Sequence, residues 1–479
     1  MQVFSFIKNG YQLVPIEVEV SFVPGLPKIQ FLGLPDTAIK ESELRIKSAL
    51  KFQGFEFPSS QQVLVNLKPS YLKKSSRGLD LAVAAAILWK SGQIDEPLAV
   101  DKTFVYGQLG LEGSVQVPSD IRGLNYVEDI DEPVFTGVPK ESLEVALNVV
   151  TQLRDIRAPE FIEPLKTKIE FSPPKLKEDV MFNKEAARAM TLTAIGEHPI
   201  LLAGPAGSGK TTFAECLYAV LENPNEKTFL QSLHMHELMG SGKLHWRPYV
   251  APHHTITALA MVGGGDPIFP GEISRAHGGV LMLDEFLEFK SAAKEALREP
   301  FEKGAITIHR KGKKESFPAD FYLVGTTNLC PCGDLVPGKV SSCRFSLTRC
   351  RSYVEKLSGP VLDRFQMLTY SHKWGGEAKV SMEQIYDDIR KAQNFARIRG
   401  QGAVNAKLAQ SQIEKEMDPM ILTNFLPEFG SSRRRKASLL KVARSVADLD
   451  ESLEIRPKHL EAAAEYTLYP FERMKRIFS

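Results

Sequence analysis

The sequence predicts an α/β fold in which a P-loop core with a parallel sheet follows a smaller α/β domain and precedes a set of helices. A glycine-rich turn, Gly204–Thr211, lies between a short apolar strand and a helix. Two further apolar segments end in polar residues, at Asp284 and at Asn328. After about residue 372 the apolar residues follow helical spacing. We therefore predict three parts, with boundaries at residues 1–165, 176–370 and 371–479.

The composition is that of an ordinary globular protein, with 43% hydrophobic and 25% charged residues. Its 60 basic and 58 acidic side chains leave a formal net charge of +2, so the overall charge does not indicate a nucleic-acid partner. No apolar run of about 18 residues predicts a membrane span. The first ten residues lack the basic start and long apolar core of a secretory signal. We therefore expect a cytoplasmic protein with no membrane partner.

Residues 1 to 150 carry a mixture of strand and helix signals. β-Branched residues in loosely alternating runs predict strands, and apolar residues at helical spacing predict helices. The expected strands cover residues 14–23, 29–36, 63–67 and 104–111, and the expected helices cover 37–52 and 79–89. Four prolines and scattered charges between residues 153 and 178 predict a linker with some strand.

The second part begins with a helix predicted over residues 184–196, which leads into the apolar strand before the glycine-rich turn. The turn has the spacing G-x-x-x-x-G-K-T of a phosphate-binding loop, in which glycines let backbone N–H groups face phosphate oxygens. Lys210 would reach the β- and γ-phosphates, and the Thr211 hydroxyl would hold Mg²⁺. The predicted nucleotide-binding residues of this loop are Gly204, Pro205, Ala206, Gly207, Ser208, Gly209, Lys210, Thr211 and Thr212.

Two later strand ends would complete this site. Residues 279–285 form an apolar strand that ends in Asp284, which would hold the Mg²⁺ shell, and Glu285, which would orient the attacking water. Residues 321–328 form a strand that ends in Asn328, a candidate sensor that positions the same water. Phosphoryl transfer depends on positioning and charge neutralisation. The three strand ends together therefore predict ATP hydrolysis, with ATP and Mg²⁺ as cofactors.

Two arginine-bearing segments follow the third strand end. Arg364, in the segment 358–365, is a candidate arginine finger, a group that often acts from a neighbouring subunit of a ring. Arg433–Arg435 opens a helix predicted over 434–449, and one of these arginines would contact the γ-phosphate. The alternative for both segments is an ordinary solvated or ion-paired arginine.

A basic hairpin is predicted between the second and third strand ends. Residues 306–317 have the pattern of a strand, a basic turn and a second strand. Its cations would bind phosphates without regard to base sequence, as a translocating motor requires. The alternative is a solvated hairpin tip. The candidate DNA-binding residues are Arg310, Lys311, Lys313 and Lys314.

Several motifs of the chain resemble those of one protein family. They are FLGLPD at 31–36, KES at 40–42, GLDL at 78–81, APHHT at 251–255, VGGG at 262–265, PGEIS at 270–274, AH at 276–277, SGPVLDR at 358–364 and VARSVADL at 442–449. Together they cover nearly the whole chain and are highly specific. On these residues the sequence resembles the ComM/YifB family of magnesium-chelatase-like AAA+ ATPases.

The resemblance implies an N-terminal domain with the ribosomal S5/Lon-protease-like fold, an AAA+ core and a C-terminal helical lid. It also implies a homo-hexameric ring, in which Arg364 falls on the arginine finger and Arg434 best fits the second sensor. ComM-type members are similar to helicases that drive branch migration of DNA during natural transformation. The leading hypothesis is therefore an ATP-driven motor on single-stranded or branched DNA. The alternative is a magnesium-chelatase motor subunit that remodels a protein partner.

A Lon-like domain raises the possibility of a peptidase. A Ser-Lys peptidase needs a nucleophilic serine in a glycine-containing turn and a lysine that activates it. The matching turn in this chain begins at Gly78 and carries Asp80 where the serine would stand. No lysine occupies the matching place in residues 117–123. We therefore expect a scaffold without catalytic activity.

The cysteines suggest a metal site. Four of the five lie within a short segment, and tetrahedral zinc needs four thiolate or imidazole ligands. The family pattern is similar to C-P-C-G followed by a C-x-C pair, but this chain carries Phe345 where the last cysteine of that pair would stand. The alternative is a loop of reduced thiols. The candidate zinc ligands are Cys330, Cys332, Cys343 and Cys350.

Overall fold

Two β-sheets organise the chain, one in each of two compact units, Met1–Ile169 and Glu170–Ser479. The computed structural model describes residues 2–9, 11–32, 37–69, 77–97, 101–127, 129–140, 143–165, 169–241, 244–266, 268–310, 313–335, 344–357, 362–374, 378–418, 420–421 and 433–475. None of the helices in these ranges combines the length and the apolarity that crossing a bilayer requires.

The first unit contains a mixed sheet whose strands follow the order β10-β9-β8-β5-β1-β2-β4-β3. Its strands are β1 (Gln2–Asn9), β2 (Gln12–Pro24), β3 (Ile29–Leu32), β4 (Gln61–Lys68), β5 (Lys102–Val105), β8 (Val134–Thr136), β9 (Leu147–Val149) and β10 (Glu160–Ile162), with β6 (Gln108–Leu109) and β7 (Val115–Gln116) forming a separate hairpin. Helices α1 (Thr37–Phe52) and α2 (Asp80–Lys90) pack together. Alternate residues of β4, Val63, Val65 and Leu67, are buried in the same apolar cluster as α2.

Two expectations for this unit are corrected by the structure. The strand expected over 104–111 is divided, because the chain leaves the sheet at Gly107 and packs against α2. A Cβ at Gly107 would lie 2.8 Å from Leu81 Cδ2, so the close approach favours glycine. The linker with some strand expected over 153–178 does contain a strand, β10, but it begins later than expected, since Leu153–Arg157 forms a 3₁₀-helix. Leu153 and Ile156 are buried, which holds this stretch in the core.

The second unit contains a five-stranded parallel sheet in the order β13-β16-β19-β12-β20. These strands are β12 (Ile200–Ala203), β13 (Tyr249–Val250), β16 (Val280–Leu283), β19 (Tyr322–Thr327) and β20 (Met367–Tyr370). Outside this sheet, other strands form two-stranded sheets. These pair β11 (Met181–Asn183) with β21 (Lys379–Ser381), β14 (Gly263–Gly264) with β15 (Phe269–Pro270), and β17 (Ala305–Arg310) with β18 (Lys313–Pro318). Because all five central strands run parallel, their carboxyl ends meet at one edge, where open α/β sheets bind ligands.

Helices surround this sheet and continue beyond it. They are α3 (Lys184–Gly196), α4 (Lys210–Val220), α5 (Glu226–Leu238), α6 (Ala258–Val262), α7 (Glu272–Arg275), α8 (Ser291–Glu295), α9 (Arg298–Lys303), α10 (Leu347–Val354), α11 (Met382–Ile398), α12 (Gln410–Ile413), α13 (Arg433–Leu449), α14 (Pro457–Thr467) and α15 (Tyr469–Lys475). The helix predicted over 184–196 has those bounds, and Asn183 caps it by accepting the Ala186 N–H at 2.9 Å.

The C-terminal helices share their hydrophobic core with the parallel sheet. Leu439, Val442 and Leu460 of α13 and α14 belong to the same buried cluster as Ile200 and Leu202 of β12. A buried polar contact reinforces this packing, since His198, just before β12, lies 2.7 Å from the Ser445 hydroxyl of α13. The helical region and the sheet therefore form one packed unit, which matches the α/β class with C-terminal helices that the sequence predicts.

Candidate nucleotide-binding site

The phosphate loop lies between β12 and α4, and its backbone depends on glycine at three places. Gly204, Gly207 and Gly209 have φ angles of 155°, 71° and 86°, which side chains rarely tolerate. Gly204 has a second constraint, because a Cβ there would lie 2.1 Å from Ser371 Oγ of the segment after β20. The loop then enters α4 at Lys210, so the N-terminal N–H groups of this helix face the loop's concave side.

Lys210 is the main cation of this site. Its ammonium group donates hydrogen bonds to the carbonyls of Gly204 at 3.0 Å and Pro205 at 2.7 Å, and to Asn328 Oδ1 at 3.2 Å. Burial lowers the pKa of this amine, whereas the carboxylates of Asp284 and Glu285 raise it. The lysine therefore connects the loop with the end of β19 and lies within the field of both acidic residues.

Asp284 and Glu285 follow β16, and Thr326 of the neighbouring strand β19 holds both. The Thr326 hydroxyl donates a short hydrogen bond to Asp284 Oδ1 and accepts the Glu285 N–H at 3.1 Å. Glu285 has a left-handed backbone, with φ of 53°, which costs free energy in a residue other than glycine. No motif in the sequence marks Thr326, because a threonine inside an apolar strand has no distinctive pattern around it.

These groups surround one cavity of about 350 Å³. Among the predicted residues, Gly204 and Pro205 are not part of its lining and contribute carbonyls to Lys210 instead. The donor set fits a nucleotide with Mg²⁺, since it combines helix N–H groups and an ammonium for phosphates with a hydroxyl and a carboxylate for a hard cation. The residues that line it are Ala206, Gly207, Ser208, Gly209, Lys210, Thr211, Thr212, Asp284, Glu285, Thr326 and Asn328.

Arg364 and Arg434 do not line this cavity and meet at a different one, of about 500 Å³. Arg364 Nη2 lies 3.6 Å from Glu295 Oε2, and Arg434 Nη2 lies 3.5 Å from Glu302 Oε1. Burial lowers the pKa of the Arg364 guanidinium, and the nearby Arg434 acts in the same direction. The chain thus brings the two predicted arginines together, but within one copy it keeps them apart from the phosphate loop.

Arg435, beside the predicted sensor, holds the segment that carries Arg364. It is buried, and its guanidinium donates to the carbonyls of Leu362 at 3.0 Å and Phe365 at 2.6 Å. The same guanidinium lies 3.9 Å from the ring centroid of Phe471. Burial lowers the pKa of Arg435 to about 10. The sequence has three arginines in a row, and no local pattern distinguishes the exposed Arg434 from the buried Arg435.

The predicted basic hairpin is present as β17 and β18. Arg310 opposes Lys313, and His309 opposes Lys314, at the end of the antiparallel ladder. The side chains of Arg310 and Lys314 are exposed, whereas Lys311 lies outside the described residues. Arg310 and Lys314 therefore lie near the turn of the hairpin with their side chains exposed to solvent.

The cysteine segment gives the zinc expectation no support. Cys330 and Cys332 bring their sulfur atoms to 3.1 Å, and Cys330 Sγ accepts the Leu335 N–H at 3.1 Å. Cys350 is buried, and Cys343 lies outside the described residues. Within the described ranges, no group of three or more His, Cys, Asp or Glu residues is arranged to hold a metal ion.

The position of the peptidase serine is filled by a structural ion pair. Asp80 is buried at the start of α2 and accepts the Arg45 Nε–H at 2.7 Å. Arg45 also donates to the Ser42 hydroxyl at 3.0 Å. The ion pair thus joins α1 to α2, and the absence of peptidase activity stays a prediction.

Comparison with known proteins agrees with the fold. Three family models match in chain order: "Subunit ChlI of Mg-chelatase" at residues 18–125, "Magnesium chelatase, subunit ChlI" at 177–377 and "Magnesium chelatase, subunit ChlI C-terminal" at 379–467. The protein YifB of Salmonella typhimurium is 32% identical over 488 residues, which are 95% of each chain.

Two further relatives differ in how much of the chain they match. The competence protein ComM of Haemophilus influenzae is 31% identical over 498 residues, or 97% of this chain and 96% of that protein. The magnesium-chelatase 67 kDa subunit of Chlorobaculum parvum is 28% identical over 160 residues, or 31% of this chain and 22% of that subunit. The chain therefore belongs to the ComM/YifB family of magnesium-chelatase-like AAA+ proteins.

Proposed function

We propose that this chain hydrolyses ATP and is one subunit of a hexameric ring that remodels single-stranded or branched DNA. The proposed ATP hydrolysis rests on one observation: a single cavity is lined by the phosphate loop, Asp284, Glu285 and Asn328. Each of these groups has a place in phosphoryl transfer, which relies on positioning and on charge neutralisation. A cavity with only the loop would support nucleotide binding without turnover.

Each side chain has a defined task in this proposal. The loop N–H groups and Lys210 bind the phosphate oxygens, while Thr211 and Asp284 would hold Mg²⁺, which when bound neutralises charge on the phosphates. Glu285 orients the attacking water and accepts its proton. Asn328 accepts a hydrogen bond from the Lys210 ammonium and lines the same cavity, so it would position the lysine and the attacking water relative to each other.

The ring is proposed because two cations of the reaction are missing from that cavity within one copy. Arg364 and Arg434 line a second cavity, with Glu295 and Glu302 as their ion-pair partners. In a closed cyclic assembly one face of each subunit meets a different face of the next. The proposal is that this second cavity meets the phosphate loop of the neighbouring copy and supplies both arginines to the γ-phosphate.

DNA is proposed as the substrate on two grounds. The exposed cations Arg310 and Lys314 stand at the free end of a hairpin, which suits contacts to a phosphate backbone. The relative from Haemophilus influenzae is named a competence protein and matches nearly the whole chain. A protein-remodelling motor of the magnesium-chelatase type is the second candidate, and its named subunit matches a much smaller share of this chain.

The test of the substrate is the ATP hydrolysis rate of the purified chain, measured with and without single-stranded and branched DNA. We expect DNA to raise the rate and Glu285→Gln to abolish turnover while nucleotide binding persists. The double variant Arg310→Ala/Lys314→Ala should lose DNA affinity and make binding less salt-dependent, by about 1.4 in the log–log slope for single strands. Arg456→Ala/Lys458→Ala removes the same charge from an exposed site elsewhere and is the control. Absence of both DNA binding and stimulation at low salt would refute the DNA substrate.

The test of the ring mixes two inactive variants. Glu285→Gln subunits retain Arg364, and Arg364→Ala subunits retain Glu285, so an interface is complete where the phosphate loop of an Arg364→Ala subunit meets the arginines of a Glu285→Gln subunit. Random assortment of equal amounts gives about a quarter of such interfaces, and we expect ATP hydrolysis to recover accordingly. Sedimentation in the presence of ATP should give a hexamer. No recovery from a mixture that does form hexamers would show that Arg364 acts within its own chain.

A further inference from the structure

Another cavity of the second unit lies at the opposite end of the parallel sheet from the phosphate loop. Its volume is about 580 Å³, compared with about 350 Å³ at the loop. Its lining includes Glu197, Gly279 and Phe321, which precede β12, β16 and β19, whereas the loop and Asp284 follow strands of the same sheet. The C-terminal part of α11 and the segment 401–407 complete the wall. A molecule bound there would therefore not compete with a nucleotide.

The charged side chains that line this cavity are paired with one another. The pairs are Glu197 with Arg247, Glu222 with Arg397 and Asp320 with Lys407. In the most buried pair, Arg247 Nη2 lies 2.7 Å from Glu197 Oε1. The remaining N–H groups of Arg247 donate to the carbonyls of Glu222 at 2.7 Å and Gly278 at 3.3 Å. A charged ligand would have to separate such a pair, so the cavity favours an uncharged one.

Two neutral side chains of the lining lack hydrogen-bond partners among the described residues. Gln393 of α11 is 7% exposed, Tyr322 at the start of β19 is 3% exposed, and neither the glutamine Oε1 nor the phenol hydroxyl has a partner there. The hydroxyl of Thr193, which lies beside the phenol, donates to Met367 Sδ at 3.6 Å instead. Buried polar groups without partners cost free energy, so a molecule that supplied both partners would be bound favourably.

The two groups offer complementary chemistry. The Gln393 oxygen is a hydrogen-bond acceptor. Burial raises the pKa of the Tyr322 hydroxyl well above its usual value, and the nearby Glu197 carboxylate acts in the same direction, so the phenol stays protonated and can donate. A hydroxyl and a terminal carboxamide both rotate readily, so each can turn towards a ligand while the backbone stays in place. A ligand that satisfies both groups has a donor and a carbonyl acceptor.

We propose that this cavity binds an uncharged small molecule that carries an N–H donor and a carbonyl acceptor. Gln393 Oε1 accepts the hydrogen bond from the donor, and the Tyr322 hydroxyl donates to the carbonyl. The cavity volume lies within the range of roughly 300–1,000 Å³ that is typical of small-molecule sites. Because Tyr322 belongs to the sheet and Gln393 to α11, the ligand joins the sheet to the C-terminal helices. The site shares no lining residue with the nucleotide cavity.

The probe is uridine, an uncharged molecule with one N–H donor between two carbonyl groups. Isothermal titration of the full chain with uridine should give saturable binding, with the same affinity in the absence and presence of a saturating non-hydrolysable ATP analogue. 3-Methyluridine, which lacks this N–H, should bind about 10-fold more weakly, as the loss of one hydrogen bond gives. Uridine 5′-monophosphate should bind no more tightly than uridine, because the cations of the cavity are already paired.

Two variants test the residues. Gln393→Met and Tyr322→Phe each remove one polar group with little change of volume, and each should weaken uridine binding about 10-fold. Their urea-unfolding midpoints should not fall, because the removed groups have no hydrogen-bond partner among the described residues of the free chain. Gln384→Met, at an exposed glutamine of the same helix, is the matched control and should bind uridine like the unchanged chain.

Four results would overturn the proposal. They are no saturable binding of uridine, equal affinities for uridine and 3-methyluridine, unchanged uridine affinity in both residue variants, and competition between uridine and the ATP analogue. Lower urea midpoints in both variants would also contradict it, because the two groups would then already be hydrogen-bonded in the free chain. These measurements do not involve ATP hydrolysis or DNA, so their outcome is independent of the proposed function.

Discussion

The Lys210 ammonium donates a hydrogen bond to Asn328 Oδ1 at 3.2 Å, across the neighbouring strands β12 and β19. This contact makes the position of the phosphate-loop cation depend on an amide 118 residues further along the chain. The residue proposed to bind phosphate and the residue proposed to arrange the reacting groups are thus joined by a hydrogen bond. Their substitutions should nevertheless have different effects on binding and on turnover.

We predict that Lys210→Ala loses nucleotide affinity, whereas Asn328→Ala keeps it and loses turnover. Removal of the ammonium leaves the phosphates without their cation. Removal of the amide leaves the phosphate contacts in place but lowers kcat by about 100-fold, as the loss of one preorganised polar group in a site of this kind does. Titration with a fluorescent ATP analogue gives the affinity, and steady-state hydrolysis gives kcat. An unchanged kcat in Asn328→Ala would exclude the amide from the reaction.

We predict that Thr326→Val lowers kcat and weakens the response to Mg²⁺. Valine keeps the volume of threonine but removes the hydroxyl that joins Asp284 to the Glu285 N–H. Asp284 and the Glu285 N–H would then lose their shared hydrogen-bond partner. The polar atoms left unsatisfied would lower the free energy of unfolding by about 1–3 kcal/mol. A Mg²⁺ titration of the hydrolysis rate measures the change.

Thr369→Val provides the matched control for this prediction. Thr369 is buried in β20 of the same sheet, and its hydroxyl has no hydrogen-bond partner among the described residues. Its replacement should leave both the Mg²⁺ response and kcat unchanged. Equal behaviour of the two variants would mean that the Thr326 hydroxyl has no special part in the site.

We predict that Arg435→Met destabilises the second unit and also lowers hydrolysis. The variant loses the hydrogen bonds to the Leu362 and Phe365 carbonyls, which then remain buried without this donor. The free energy of unfolding should fall by about 2–4 kcal/mol, as for other buried charged groups whose partners are left behind. Urea unfolding measures the loss. The exposed Arg433 is the control, and a similar loss in Arg433→Met would contradict the prediction.

We predict that the second unit loses stability between pH 6.5 and pH 4. Burial lowers the pKa of His198 to about 4, and the same cause lowers that of His277 to about 4. The unfolded chain, with ordinary histidines near 6.5, binds more protons in this interval, so the free energy of unfolding falls as the pH falls. For His198 alone the loss reaches about 3 kcal/mol.

Urea unfolding at a series of pH values tests this prediction. His198→Gln is less stable at pH 7.5, because it changes the contacts with Gln366 and Ser445, but its stability should depend less steeply on pH. His245→Gln, at an exposed histidine, should keep the slope of the unchanged chain. An identical pH slope in His198→Gln would show that this imidazole does not carry the effect.

Much of the fold was predictable from local patterns. Helix α3 has the bounds that its apolar spacing predicts, and α1 does as well, since both depend on residues close in sequence. The strand expected over 104–111 is divided into β5 and β6, and Gly107 between them lies against Leu81 of a different element, which no local pattern reveals. The linker expected over 153–178 includes some strand, as β10 shows, but it was expected to start too early, because the buried Leu153 and Ile156 belong to the core of the first unit.

The sequence by itself determined the phosphate loop and the paired Asp284 and Glu285, because their chemistry depends on contiguous residues and fixed spacing. The catalytic tasks assigned to these residues remain predictions. Only the tertiary structure decided that Thr326 supports Asp284, that His254 faces Glu285 and that Arg364 shares a cavity with Arg434. The physical reason is tertiary packing: Thr326, Asp284, His254 and Glu285 meet because parallel strands place their carboxyl ends at one edge, whereas Arg364 precedes β20 and meets Arg434 because α13 packs against the sheet. No local pattern encodes either arrangement.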